Sequence, residues 1–363
     1  MRHNIVFKRS GYYSGMPNLT ILGDGRLAIG ARVQNHGSHE PVGDWRAFIS
    51  EDAGDTWSES DAPDIPFNWP GATPREKMER VEIIQPDGNF ICAGAKGAEY
   101  WPEDRRAEAE KLGLRIREHP PGSKVISVGG DKLFVARSGD QGKTWSRREW
   151  VIPGVAQVSG NRPATIMGDG TVLIHIYTAE VNGDSRNYVW RSTDHGDSWR
   201  LHPMGTHPLS LKINETAMVE VDTGTILAHQ RIENAPQYLV ERWSHDGGLT
   251  WTEPLRTDIW GYPAHLLKLR DGRILCAYGY RRDPGGVRAV LSADGGYTWN
   301  TENVIVLRDD GGYSTSLREG NSGWASDLGY PISVQLEDES ILTAYYITEN
   351  DGITHTAVTR WDP

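Results

Sequence analysis

The sequence predicts an all-β protein, a six-bladed β-propeller of four-stranded antiparallel blades with a helical insertion in the second blade. Three observations predict it. The phrase Ser-x-Asp-x-Gly-x-Thr/Ser-Trp occurs five times, at 50–57, 138–145, 192–199, 244–251 and 292–299. Its aspartates, Asp52, Asp140, Asp194, Asp246 and Asp294, succeed one another at intervals of 88, 54, 52 and 48 residues, and a period near fifty marks a propeller or a solenoid. Between the phrases, β-rich runs alternate with Asp/Gly turns, as hairpins do.

Each phrase has a local job. The Asp carboxylate accepts hydrogen bonds from backbone N–H groups of its own turn, and the Gly takes positive φ without a Cβ clash. The Thr/Ser-Trp pair opens a strand and offers a large ring to a core. The phrases are therefore structural, and no chemistry is expected of them.

The units run in order along the chain. Hairpin text recurs at Asn18–Gly30, Ala164–Ile174, Met218–Leu227 and Leu266–Leu275; a third strand enters each phrase and a fourth leaves it at the Trp. The sixth unit lacks the phrase but keeps two strands around Tyr330–Tyr346 and a final one at Thr354–Trp361. Its missing outer strand is supplied by the N-terminal run Asn4–Lys8, closing the ring. The first interval exceeds one blade by roughly 40 residues. That surplus surrounds Trp101–Leu112, where Pro102 comes early, acids come next, and Gly113 ends the run, as in a helix. It reads as an insertion at about 97–130, a wall of the cleft or an oligomer contact, within a single domain spanning 1–363.

Composition narrows the function. The 363 residues provide ample core, and 14 Trp and 14 Tyr against 5 Phe suit blade packing and a sugar-friendly cleft. A formal net charge of −11 argues against nucleic acid or an anionic membrane as partner. Cys92 and Cys276 fall in β-rich runs of different blades, where buried free thiols are expected rather than a disulfide. No apolar stretch reaches transmembrane length and Met1–Asn4 begins no signal peptide, so the chain as given reads as cytoplasmic, or as periplasmic or secreted if trimmed. No zinc-binding spacing, nucleotide-binding Gly loop or Cys pair is present, and no cofactor is expected.

With its five phrases and hairpin text, the chain resembles the sialidase (neuraminidase) superfamily of six-bladed propellers over nearly its whole length. That resemblance implies a neutral Tyr nucleophile activated by a neighbouring Glu, an Arg cluster clamping the sugar carboxylate, and an Asp acid/base. Tyr330, in Asp327-Leu328-Gly329-Tyr330-Pro331, stands where the family places its tyrosine, and Glu215, in Asn214-Glu215-Thr216, resembles the activating Glu. Arg231 and Arg288 are the clamp candidates. The first blade departs from the family pattern, because Ser14-Gly15-Met16-Pro17 replaces an Arg-Ile-Pro-like signature. Arg80 or Arg162, near the starts of the second and third blades, is the expected substitute. For the acid/base, the loop 35–44 offers His39, Glu40 and Asp44.

His265, in Gly261-Tyr262-Pro263-Ala264-His265, repeats the blade-start text around Tyr330. A His and a Tyr facing one channel beside a clamped uronate suit proton abstraction. Three functions are compatible with these residues: an exo-glycosidase of an acidic, sialic-acid-like sugar; a polysaccharide lyase or a hydrolase of another uronate- or deoxysugar-containing glycan; and a non-catalytic carbohydrate-binding propeller. A Glu set against a Tyr favours catalysis. The sugar, the linkage and the oligomeric state are left open.

Overall fold

The structure, a computed structural model, describes residues 1–35, 44–69, 80–85, 87–96, 99–114, 116–117, 124–160, 163–180, 185–205, 211–233, 237–312 and 327–363. Six antiparallel sheets form the blades. The first contains β2 (Tyr13–Ile21), β3 (Leu27–Gln34), β4 (Asp44–Ser50) and β5 (Ser58–Glu59). The second contains β6 (Arg80–Ile84), β7 (Phe90–Lys96), β11 (Lys132–Ser138) and β12 (Ser146–Val151).

In the third blade the first strand is split into β13 (Val155–Gly160) and β14 (Thr165–Ile166), both paired with β15 (Val172–Glu180), beyond which lie β16 (Ser185–Ser192) and β17 (Arg200–Pro203). Pro163 falls in the break and has no N–H to give a ladder. The fourth blade is β18 (Ile213–Asp222), β19 (Thr225–Ile232), β20 (Tyr238–Ser244) and β21 (Leu255–Trp260); the fifth is β22 (Ala264–Lys268), β23 (Ile274–Tyr280), β24 (Gly285–Ser292) and β25 (Ile305–Gly311). The sixth combines β26 (Gly329–Gln335), β27 (Ile341–Thr348) and β28 (Thr354–Trp361) with β1 (Arg2–Phe7). Ile5 pairs with Ala357 and Asn4 with Val358, so the N-terminal strand closes the ring as expected.

The insertion is more sheet than helix. Between β7 and β11, β8 (Glu99–Pro102), β9 (Ile116–Arg117) and β10 (Val125–Val128) form a three-stranded sheet. One short helix, α1 (Arg106–Lys111), buries Ala109 against Ile126 and Val128. The helical text begins at Trp101, but Trp101 and Pro102 pair with Ile126 and Val125 in the sheet, so the helix starts later.

The core lies between neighbouring blades. Ile29 and Leu19 of the first blade meet Leu342 and Val358 of the sixth; Ile91 and Val135 of the second meet Ile174 and Ile176 of the third. Cys92 and Cys276 are buried free thiols. Among the described residues no helix is long and apolar enough to cross a membrane.

The five repeated phrases are the turns between third and fourth strands. In each, the Ser hydroxyl donates to the Asp and accepts from the Gly N–H, as with Ser138 to Asp140 at 2.8 Å and Gly142 to Ser138 at 2.7 Å. The Asp in turn accepts from the Thr or Ser backbone and hydroxyl, as from Thr144. These bonds hold Asp52, Asp140 and Asp294 down to about 2. Four of the Trp indoles donate to the Gly carbonyl of their own turn; Trp299 instead packs its ring 4.9 Å from His229. Strand direction puts these turns on one rim. Starts of first strands and ends of second strands lie on the opposite rim.

Candidate active site

That opposite rim gathers the site. Tyr330 opens β26 and Glu215 lies near the start of β18, separated by 115 residues of chain and by the whole fifth blade. Both strands are irregular there: register shifts between Gly329 and Ile332 and between Ile213 and Thr216. Tyr330 has φ +49° and Gly329 φ +123°, a turn that aims the Tyr330 phenol across the channel instead of along the ladder. Gly329 is held there by close approach, since a Cβ on Gly279 would sit 3.0 Å from the Gly329 Cα and 2.8 Å from the Tyr262 carbonyl. Blades five and six touch backbone to backbone at this point.

The Tyr330 hydroxyl donates to Glu215 Oε1, and Arg231 Nη1 donates to Glu215 Oε2 at 2.7 Å. The Glu215 side chain is 11% exposed and that of Arg231 17%. Burial pushes the Glu215 carboxyl up, but the Arg231 charge and the two hydrogen bonds outweigh it and hold the group below the usual glutamate range. Burial, joined by the Glu215 charge, pushes the Tyr330 phenol above its ordinary value against Arg231 and Arg281. The pair at rest is thus a neutral phenol on a carboxylate. Tyr262 lies below two guanidiniums, Arg231 at 4.4 Å and Arg281 at 5.1 Å from its ring centre.

A second layer continues toward the first blade. Tyr346 donates to buried Asp327 at 2.9 Å, its ring 6.0 Å from that of Tyr330 and 6.2 Å from that of Tyr13. Tyr13 hydrogen-bonds with Asp327 and Arg32, and Arg32 lies 5.2 Å over its ring. Arg32, Arg231 and Arg281 have similar places: each lies within two residues of the end of the second strand of its blade. Arg32 is paired across the ladder with Gly15, the position where the sequence lacks its arginine.

The structure thus brings Tyr330, Glu215, Arg231 and Tyr262 together, and adds Arg281, Arg32, Asp327, Tyr13 and Tyr346. Among the described residues, the other candidates make no hydrogen bond or ring contact with Tyr330. Arg288 lies in β24, its guanidinium 3.7 Å over the Tyr280 ring; Arg281 is the fifth-blade arginine beside the phenol. Arg80 is buried at the junction of the first two blades, paired with Glu82 at 2.6 Å and donating to the Phe67 carbonyl at 2.9 Å. His265 is 4% exposed and its Nδ1 accepts the Ser333 N–H at 3.2 Å. Burial holds its imidazole down to about 4. It joins two blades and does not face the channel as a base. Asp44 opens β4 on the site rim, exposed, with no side-chain hydrogen bond or ion pair among the described residues. His39, Glu40 and Arg162 lie outside the described residues. Among the described residues no group of three or more His, Cys, Asp or Glu could hold a metal ion.

Sequence and structure comparisons agree with this fold. The BNR repeat-like domain family matches residues 121–347. The chain belongs to that family. No curated protein matches the sequence. Among solved structures, a protein of unknown function from Dyadobacter fermentans is 23% identical, with 99% of this chain covering 97% of that one at a TM-score of 0.76. The Hadza microbial sialidase Hz136 is 19% identical (96% of this chain, 66% of that one, TM-score 0.62). The NanB sialidase from Streptococcus pneumoniae is 14% identical (99% and 70%, TM-score 0.62).

Proposed function

We propose that the chain is a glycosidase of an acidic, sialic-acid-like sugar, with Tyr330 as nucleophile, Glu215 as its base, and Arg231 and Arg281 as the carboxylate clamp. One observation carries the reading: a half-buried phenol donates to a half-buried carboxylate that an arginine keeps ionised. An anomeric carbon bearing a carboxylate repels an anionic nucleophile, whereas a neutral phenol approaches without that cost. As the Tyr330 oxygen bonds to the anomeric carbon, its proton passes to Glu215 and the bond to the leaving oxygen breaks. An acid protonates that oxygen; Asp44, on the same rim, and Glu40 are the candidates. Water then releases the sugar from Tyr330 by the reverse sequence.

Clamping needs donors that match the charge of a carboxylate taken out of water, and Arg231 and Arg281 flank the pair on the Tyr262 ring. The test is turnover of aryl glycosides, a sialoside among them, by the wild type and by Tyr330→Phe. The variant should lose turnover and keep binding, because only the hydroxyl reacts. A variant retaining more than about a tenth of the wild-type rate has lost under roughly 1.4 kcal/mol of transition-state stabilisation, and Tyr330 is then no nucleophile.

A further inference from the structure

Outward from Tyr262, the rim where the fourth blade meets the fifth carries arginines laid on aromatic rings. Arg288 lies 3.7 Å over Tyr280, Arg282 3.6 Å over Trp260, and Arg256 4.1 Å over Tyr238. The rings are neighbours. Trp260 and Tyr280 meet edge to face at 5.3 Å, Tyr238 pairs with Trp260 across the ladder, and the Tyr262 N–H bonds to Gly279, beside Tyr280. The strip thus runs without interruption from the Arg231–Tyr262–Arg281 cluster to the outer edge of the fourth blade.

The strip is cationic in a molecule whose balance is acidic. Carboxylates outnumber cationic side chains, 49 to 38, and several arginines elsewhere sit in carboxylate pairs, as Arg2 with Asp55, Arg26 with Asp24 and Asp64, and Arg308 with Asp310. Among the described residues Arg256, Arg282 and Arg288 form no ion pair with a carboxylate, although Asp258 and Asp283 lie in the same segments. The Arg288 Nε is buried with no hydrogen-bond acceptor among the described residues. Stacking fixes each guanidinium plane and leaves its N–H edge to donate, which suits the bidentate geometry of an oxyanion.

We propose that this strip binds a second anionic group, a carboxylate or sulfate ester, on a sugar residue beyond the one held at Tyr330. The site's substrate, on the reading above, is then a glycan with negative charge on successive residues. The half-buried aromatic rings supply stacking faces for the pyranose and the arginines supply its counter-charge.

The test is a binding titration by calorimetry, independent of turnover. The probes are a sulfated chondroitin tetrasaccharide, its desulfated form, which keeps only carboxylates, and neutral cellotetraose. The protein forms are the wild type, Tyr330→Phe and the Arg256→Ala/Arg282→Ala double variant. Both strip positions are exposed, and circular dichroism checks that the double variant folds. At least one charged tetrasaccharide should bind the wild type and Tyr330→Phe about ten-fold or more tighter than cellotetraose, and the double variant should lose about ten-fold of that. Preference between the two charged probes identifies sulfate or carboxylate as the group. Equal binding of charged and neutral probes, or a folded double variant that binds like the wild type, overturns the strip. Failure of all aryl glycosides to turn over would sink the glycosidase reading while leaving this result standing.

Discussion

Replacing Glu215 by Gln keeps the shape of the site, removes its charge and forces a rearrangement of hydrogen bonds. The carboxylate now serves two donors, Tyr330 on one oxygen and Arg231 on the other. An amide has one acceptor oxygen. Arg231 cannot accept, so the amide oxygen stays with Arg231 and the NH2 group turns toward the phenol oxygen. The phenol proton then has no base to receive it. Loss of a general base costs about 10²–10⁴-fold, or about 3–5 kcal/mol of barrier. Stability falls less. Removing one partner of a buried pair costs about 3–5 kcal/mol, but the amide oxygen, the Tyr262 ring at 4.4 Å and a side chain still 17% exposed all remain for Arg231, so about 2 kcal/mol is expected. Steady-state hydrolysis of an aryl sialoside, or of whichever acidic aryl glycoside the wild type turns over, gives the first quantity and urea unfolding the second. A variant within ten-fold of wild-type kcat/KM refutes Glu215 as base, and one with wild-type stability refutes the Arg231 pairing.

Arg281→Ala should raise KM for an acidic monosaccharide glycoside about ten-fold to a hundred-fold, the worth of one charge-assisted contact, and more than Arg288→Ala does; equal effects would show that the fifth blade's clamp residue is misassigned. Glu215 has its folded value depressed, so its share of stability is present above the ordinary glutamate range and is lost as pH falls through the lowered value. The acid limb of kcat should accordingly lie below that of an ordinary glutamate, and an acid limb at or above it in a pH–rate profile would contradict the Arg231 effect. Ser138→Ala strips a buried turn of three hydrogen bonds, one to the Asp140 carboxylate and two from the Asp140 and Gly142 N–H groups, and should cost about 1–3 kcal/mol in urea unfolding with turnover unchanged, because its turn is on the rim opposite Tyr330.

The blades are legible in the sequence because their signals are local. A Ser-x-Asp-x-Gly turn closes its own hydrogen bonds within eight residues, so five copies announce five turns wherever the chain goes. Tyr330 and Glu215 are legible for a related reason: each opens the first strand of its blade, and strand starts share a rim. The arginine is harder. Arg288, in the strand that leads into the fifth phrase, is the sequence candidate, with Arg281 and Arg282 nearby. What selects Arg281 is the contact of Gly279 with Gly329, which exists only after two blades dock. Asp327, Tyr346, Tyr13 and Arg32 escape a linear reading likewise, and a register shift between Gly15 and Asn18 means that the Gly15–Arg32 pairing cannot be counted from the Asp24-Gly25 turn. The sheet-rich insertion reads as helix because α1 is the only segment in it with a strong local pattern.

The pairing of β1 with β28 gives the ring a seam. Arg2 faces Arg360 and His3 faces Thr359, contacts that span almost the entire sequence. During synthesis β1 is made before the other strands of the ring and has no ladder partner until β28 has left the ribosome. Five blades can stack before that moment, but the sixth stays a three-stranded sheet with an open edge. The loop closed by the seam spans all six blades, so its entropy falls due only when β28 is in place. The last contacts to form therefore complete the blade that carries Tyr330.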